Sequence, residues 1–155
     1  MSEDIKLINS VKDLNFWISK EFINTLSNPK KDVILLNGPL GVGKTQFTSL
    51  LVDQLFNVDN LKEKNITTSS PTFSLHNIYK KNKLTVHHFD LYRLNSEKDL
   101  ESFNFWDVFK EDNACIIIEW SKKFDILNFF PEWRVHNIEM SFKDETSIVR
   151  EIKYT

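Results

Sequence analysis

Residues 33–45 read Val33-Ile34-Leu35-Leu36-Asn37-Gly38-Pro39-Leu40-Gly41-Val42-Gly43-Lys44-Thr45. The first four are apolar without alternation, as a strand covered on both faces requires. The last eight satisfy G-x-x-x-x-G-K-[ST] in full, and Phe47, Leu50, Leu51 and Leu55 follow at helical spacing. Strand, glycine-rich loop and helix is the context in which that pattern has meaning. Glycines let successive backbone N–H groups turn inward on a phosphate, and the helix N-terminus adds its positive end. A lysine here supplies a point charge for phosphate, and a threonine hydroxyl is a hard oxygen ligand for Mg2+. The chain's three glycines are Gly38, Gly41 and Gly43. A sequence sparing of glycine elsewhere has concentrated it at this loop. Gly38, Pro39, Leu40, Gly41, Val42, Gly43, Lys44, Thr45 and Gln46 are therefore expected to cradle the phosphates of a nucleotide.

Such a loop needs an acid near the metal, usually at the C-terminal end of a neighbouring parallel strand. Glu119 directly follows the apolar run Ala114-Cys115-Ile116-Ile117-Ile118. Asp90 ends Leu84-Thr85-Val86-His87-His88-Phe89-Asp90, where alternation puts it on the face of Val86 and His88. Either acid can serve the site or simply cap a following turn. His87 and His88 read more readily as packed or hydrogen-bonded groups than as catalysts, and no Cys/His spacing suggests zinc.

The remaining elements follow closely. Ser10 to Leu26 reads as a helix, with Ser10 and Asp13 resembling a capping box and Val11, Leu14, Ile18, Phe22 and Leu26 forming one stripe; Asn28-Pro29 stops it. Thr72–Ile78 and Leu84–Phe89 read as strands joined by a turn near Asn82. Ile138, Met140 and Phe142, then Ile148, Ile152 and Tyr154, mark two alternating segments that turn at Lys143-Asp144-Glu145. The expectation is an α/β fold of the P-loop NTPase type: a parallel central sheet extended by antiparallel strands and flanked by helices, as a single domain over residues 1–155.

Composition narrows the function. A formal net charge of −2 offers no basic face for tight independent nucleic-acid binding. The single cysteine, Cys115, lies in an apolar run and reads as a buried, inert thiol, so an oxidising compartment is not indicated. The start, Met1-Ser2-Glu3-Asp4, has no signal-peptide character, and no apolar run approaches the ~20 residues that span a bilayer. A cytoplasmic protein without membrane contact is expected. Asn82-Lys83-Leu84-Thr85 lacks the Asp of the guanine-reading N-K-x-D, and Arg93 stands where D-x-x-G would need glycine. With three arginines, Arg93, Arg134 and Arg150, the chain is poorly equipped as a small-molecule kinase, which gathers phosphates with an arginine lid.

Four blocks in order resemble the TsaE (YjeE-like) ATPases of bacterial tRNA threonylcarbamoyladenosine synthesis. They are Gly38–Thr45, Ser70-Pro71-Thr72-Phe73 with Tyr79 following, His88-Phe89-Asp90-Leu91-Tyr92-Arg93-Leu94, and Ile118-Glu119-Trp120. The first is generic to P-loop proteins; the others are specific in combination. The resemblance implies ATP and Mg2+ as cofactors, slow hydrolysis, and association with the TsaD–TsaB pair, which transfers the threonylcarbamoyl group to an adenosine beside the anticodon. It places tRNA in indirect contact, through that complex. By motif, Lys44 would hold phosphates, Thr45 and Glu119 would serve Mg2+, and Asp90 would place or activate water. Thr72 would sit in a switch-like loop near the γ-phosphate, and Trp120 would couple nucleotide state to neighbours. Tyr92 and Arg93 could line the site or the partner surface.

The chain departs from the family pattern at Ser49 and Leu50, at Phe103 and Asn104, and at Ser121. These positions bear on packing and partner docking more than on phosphate chemistry. Two other readings remain open at this point. A metabolite kinase would consume ATP when its acceptor is added, whereas a non-hydrolysing adaptor would bind ATP and release no phosphate.

Overall fold

The apolar runs at 33–36 and 114–118 lie inside β2 (Asp32–Asn37) and β5 (Ala114–Glu119), both buried at every position. The computed structural model describes residues 4–26, 31–56, 75–126 and 132–155. Among these, β1 (Asp4–Ile8), β3 (His76–Lys81), β4 (Leu84–Asp90), β6 (Arg134–Phe142) and β7 (Arg150–Tyr154) complete one sheet in the order β1-β7-β6-β2-β5-β4-β3. The inner strands β6, β2, β5 and β4 run parallel, whereas β3 at one end and β7 and β1 at the other pair antiparallel. That is the parallel core with antiparallel extensions that the sequence leads one to expect.

Two layers cover the core. On one face, α1 (Val11–Lys20) and α2 (Lys44–Phe56) bring Trp17, Ile18, Phe47 and Leu51 against Ile34, Leu36 and Ile117. On the other, the short α3 (Glu97–Glu101) and a 3-10 turn at Phe105–Lys110 set Leu100 and Phe105 against Val33, Leu35, Phe89 and Ile116. The alternate residues of β2 thus feed two separate cores, which is why its sequence shows no polar face. Among the described residues no helix is long and apolar enough to cross a membrane.

Two local expectations need correction, and a third lies largely outside the described residues. The Ser10–Leu26 helix is shorter: it ends at Lys20, and a 3-10 turn covers Phe22–Thr25. The Asn24 amide donates to the Lys20 carbonyl at 2.7 Å and the Thr25 hydroxyl to that of Phe22 at 2.7 Å, so local side chains compete with the helical ladder there. The helix start is as read: Ser10 accepts from the Asp13 N–H at 3.1 Å, while Asp13 accepts from the Asn9 N–H at 3.0 Å. Ile148 lies outside β7 and is 79% exposed, because the turn from Lys143 continues to Val149. The third concerns β3, which begins at His76, whereas the expected strand began at Thr72; positions 72–74, like the Asn28-Pro29 stop, fall outside the described residues. Cys115 is buried, and burial raises its thiol pKa well above the ordinary value, as an inert core cysteine requires.

A buried polar chain ties the antiparallel extension to the parallel core. Asp32 at the start of β2 meets His136 Nε2 on β6 at 2.7 Å, and His136 Nδ1 meets the Tyr154 hydroxyl on β7 at 3.0 Å. Asp32 and His136 are each 1% exposed. Asp32→Ala strands the His136 nitrogen in the core, and removing one partner of a buried pair costs about 3 kcal/mol. The expected result is a fall in Tm of roughly 10 °C, since about 1 kcal/mol shifts a domain of this size by ~2–4 °C. Asp32 lies at the far end of β2 from the glycine loop, so nucleotide affinity measured well below Tm should be unchanged.

Candidate functional site

The parallel register decides what meets at the top of the sheet. Leu36 of β2 pairs with Glu119 of β5, and Glu119 pairs with Asp90 of β4, so both acids stand abreast where β2 runs into the loop. Ligands of open α/β sheets bind at this C-terminal edge. Strand alternation puts Glu119 on the side of Cys115 and Ile117, which α2 covers, and this aims its carboxylate at the start of α2. The turn after Glu119 is pinned on both sides. The Trp120 N–H donates to the Leu36 carbonyl at 3.0 Å and the Leu91 N–H to that of Glu119 at 3.1 Å. Asn37 adds bonds to the Ser121 hydroxyl at 2.8 Å and the Lys122 N–H at 3.2 Å.

Two of the loop glycines are needed for different reasons. At Gly38 (φ +143°) a Cβ would lie 2.2 Å from the Met140 carbonyl oxygen of β6, backbone that cannot step aside. At Gly41 (φ +76°) the space is open, and the constraint is the left-handed backbone alone. Gly38→Ala should therefore cost about 3 kcal/mol of overpacking and strain, against about 1 kcal/mol for Gly41→Ala. Paired melting curves check the order; equal losses would show that the loop does not depend on its approach to β6. The Arg150 Nε donates to the Val42 carbonyl at 3.1 Å while its guanidinium lies 4.3 Å from the Phe142 ring, so β7 also braces the loop.

Inside the loop, Lys44 is 4% exposed, and its ammonium donates to the carbonyls of Gly38 at 2.8 Å and Pro39 at 2.9 Å, 4.3 Å from the Trp120 ring. Burial lowers its pKa from the ordinary lysine value, against the raising pull of Glu119 and Asp90. The Thr45 hydroxyl donates to Glu119 at 3.1 and 3.4 Å from its two oxygens, and His88 Nε2 lies 2.8 Å from Glu119 Oε1. Asp90 accepts the Tyr92 N–H at 3.0 Å. Trp120 holds a left-handed backbone (φ 61°), a strained state for a bulky side chain that clusters at functional sites, and its ring lies 5.0 Å from Tyr92.

These groups enclose a cleft of about 210 Å³ lined by Lys44, Thr45, Gln46, Asp90, Glu119 and Trp120, with Leu40, Gly41, Gly43 and Tyr92 at its rim. A more apolar groove of about 310 Å³ adjoins it across Gly41, Gly43 and Gln46, between Val11, Ile148 and Arg150. The exposed Thr45 hydroxyl and the buried Glu119 carboxylate in contact, beside a lysine and a glycine cradle, are the hard oxygen donors and the cation that Mg2+ and phosphate need.

A family model described as threonylcarbamoyl adenosine biosynthesis protein TsaE matches residues 14–152. The chain belongs to the TsaE family. The tRNA threonylcarbamoyladenosine biosynthesis protein TsaE of Rickettsia prowazekii is 35% identical over 115 residues, covering 74% of this chain and 72% of that one. The protein of the same name from Nostoc sp. is 34% identical over 123 residues, 77% of this chain and 68% of that one. The crystal structure of Bacillus subtilis YdiB matches with a TM-score of 0.65 over 99% of this chain and 84% of that one; at 19% identity the likeness is one of fold. The architecture is the P-loop NTPase fold.

Within this TsaE chain the expected residues divide. Leu40, Gly41, Gly43, Lys44, Thr45, Gln46, Asp90, Glu119 and Trp120 converge on the cleft. Gly38 and Pro39 enter through the carbonyls that hold Lys44, and Val42 turns its side chain into the core. Thr72 lies outside the described residues. His88, read from the sequence as a packed or hydrogen-bonded group, is hydrogen-bonded, and its partner is the site acid Glu119. Arg150 and Lys123, which donates to the carbonyls of Tyr92 and Leu94 at 2.6 Å each, carried no local signal. His87 is a packed group, as expected, with its Nδ1 2.9 Å from His76 Nε2; burial lowers both pKa values, that of His76 to about 4.

Proposed function

We propose that this chain binds ATP with Mg2+, hydrolyses it slowly, and does so as a cytoplasmic subunit acting with a TsaD–TsaB pair in making tRNA threonylcarbamoyladenosine beside the anticodon. The observation that carries the reading is the contact of Thr45 with Glu119 next to Lys44, at the C-terminal edge of the parallel strands. Family membership and the names of the relatives support the tRNA role.

In this reading Lys44 exchanges the Gly38 and Pro39 carbonyls for phosphate oxygens. Thr45 and Glu119 hold Mg2+, which supplies charge neutralisation for the developing phosphate oxygens. Asp90, with one oxygen committed to the Tyr92 N–H, keeps the other to orient water or accept its proton. Trp120 covers Lys44 and excludes water. The adjoining apolar groove has the size and character for the purine ring.

The test is reconstitution of tRNA modification from a TsaD–TsaB pair, ATP and an activated threonylcarbamoyl donor, with and without this chain. Sustained modification that needs both this chain and its intact Lys44 is expected. Modification indifferent to the chain, or phosphate passing to a small-molecule acceptor, would contradict the reading.

A further inference from the structure

His88 is 4% exposed and Glu119 2% exposed, and they meet at 2.8 Å. An ionised carboxylate is an acceptor without a hydrogen, so the ring donates through Nε2–H. His88 Nδ1 has no hydrogen-bond partner among the described residues. Among the described residues the ring's polar interaction is spent on Glu119, while its other nitrogen bears the cost of burial. A side chain kept for packing alone would avoid that cost by being apolar. Glu119 in turn divides itself: Oε1 takes both the His88 ring and the nearer of the two Thr45 contacts, and Oε2 takes the longer Thr45 contact at 3.4 Å. His88 anchors the oxygen that also meets Thr45, so Oε2 is the less committed of the two.

We propose that His88 is a positioning residue: its Nε2–H fixes the Glu119 carboxylate so that Glu119 and Thr45 present their oxygens together to Mg2+. The proposal rests on the reading of Thr45 and Glu119 as the metal-holding pair. Hydrogen bonds to ligating carboxylates act this way in metal sites generally, and losing one costs about 10–100-fold in metal affinity.

The test compares ADP affinity in saturating Mg2+ with that in EDTA, for the unaltered chain, His88→Gln and His88→Asn, after melting curves establish that each folds. A glutamine amide reaches the place of Nε2, whereas an asparagine amide stops near Nδ1. The gain in affinity on adding Mg2+ should be kept in His88→Gln and fall about tenfold in His88→Asn, with affinities in EDTA equal within about twofold. Equal Mg2+ gains in all three chains would overturn the proposal, as would a matching loss of affinity in EDTA, which marks a merely structural role. No Mg2+ gain in the unaltered chain would instead overturn the metal-holding reading of Thr45 and Glu119, and the proposal with it.

Discussion

Lys44→Ala is expected to lower ATP affinity by about a hundredfold or more, with a fall in Tm of a few degrees from the lost loop contacts. Charge-assisted hydrogen bonds from the ammonium to phosphate oxygens contribute roughly 1.5–3 kcal/mol each. Against this stands what the free protein gives up: two bonds to the Gly38 and Pro39 carbonyls and the Trp120 ring contact. The bonds to the carbonyls are charge-assisted as well, but a phosphate also carries the opposite charge, and a net preference of about 3 kcal/mol for it is more than a hundredfold in affinity. Arginine should not rescue, because a planar fork cannot occupy the compact position of the ammonium between two loop carbonyls. Calorimetric titration with ATP checks this, and an affinity within threefold of the parent would remove the loop from phosphate binding.

Glu119→Gln should cut Mg2+-dependent turnover by at least about a hundredfold while ADP affinity in EDTA stays within a few-fold. The amide keeps the volume of the carboxylate but loses its charge, and one of its two ends becomes a donor. Its oxygen can still accept from His88 and Thr45 as Oε1 does, but the NH2 that replaces Oε2 is a donor and cannot ligate Mg2+. Metal positioning on a transferring phosphoryl group is worth several kcal/mol, and about 2.7 kcal/mol is already a hundredfold in rate. The buried amide also meets an unmatched donor, which costs roughly 1–2 kcal/mol of stability and should show as a modest fall in Tm. Unchanged turnover in a folded variant would sink the role given to this acid.

Much of this was legible in the chain, for identifiable reasons. The strands β2 and β5 are covered on both faces, so burial wrote itself as unbroken apolar runs, and the acid ending one of them was marked by the break. The loop was legible because its glycines serve backbone geometry that other residues cannot reach, as the Met140 carbonyl against Gly38 shows. The strand β1 was missed: it is a five-residue edge strand whose Ile5 and Leu7 remain about half exposed, so its pattern carries little burial. The early end of α1 was hidden because Asn24 and Thr25 turn the chain through side-chain bonds rather than through glycine or proline. His88 and Arg150 act through partners 31 and 108 residues away, contacts that local spacing does not encode.

Phosphate release from Mg2+-ATP by this chain alone, and then with a TsaD–TsaB pair from the same source, tests the central claim most directly. Slow release by the chain alone that changes when the pair is added is the predicted result. ATP binding with no phosphate release in either condition, or release indifferent to the pair, would contradict it.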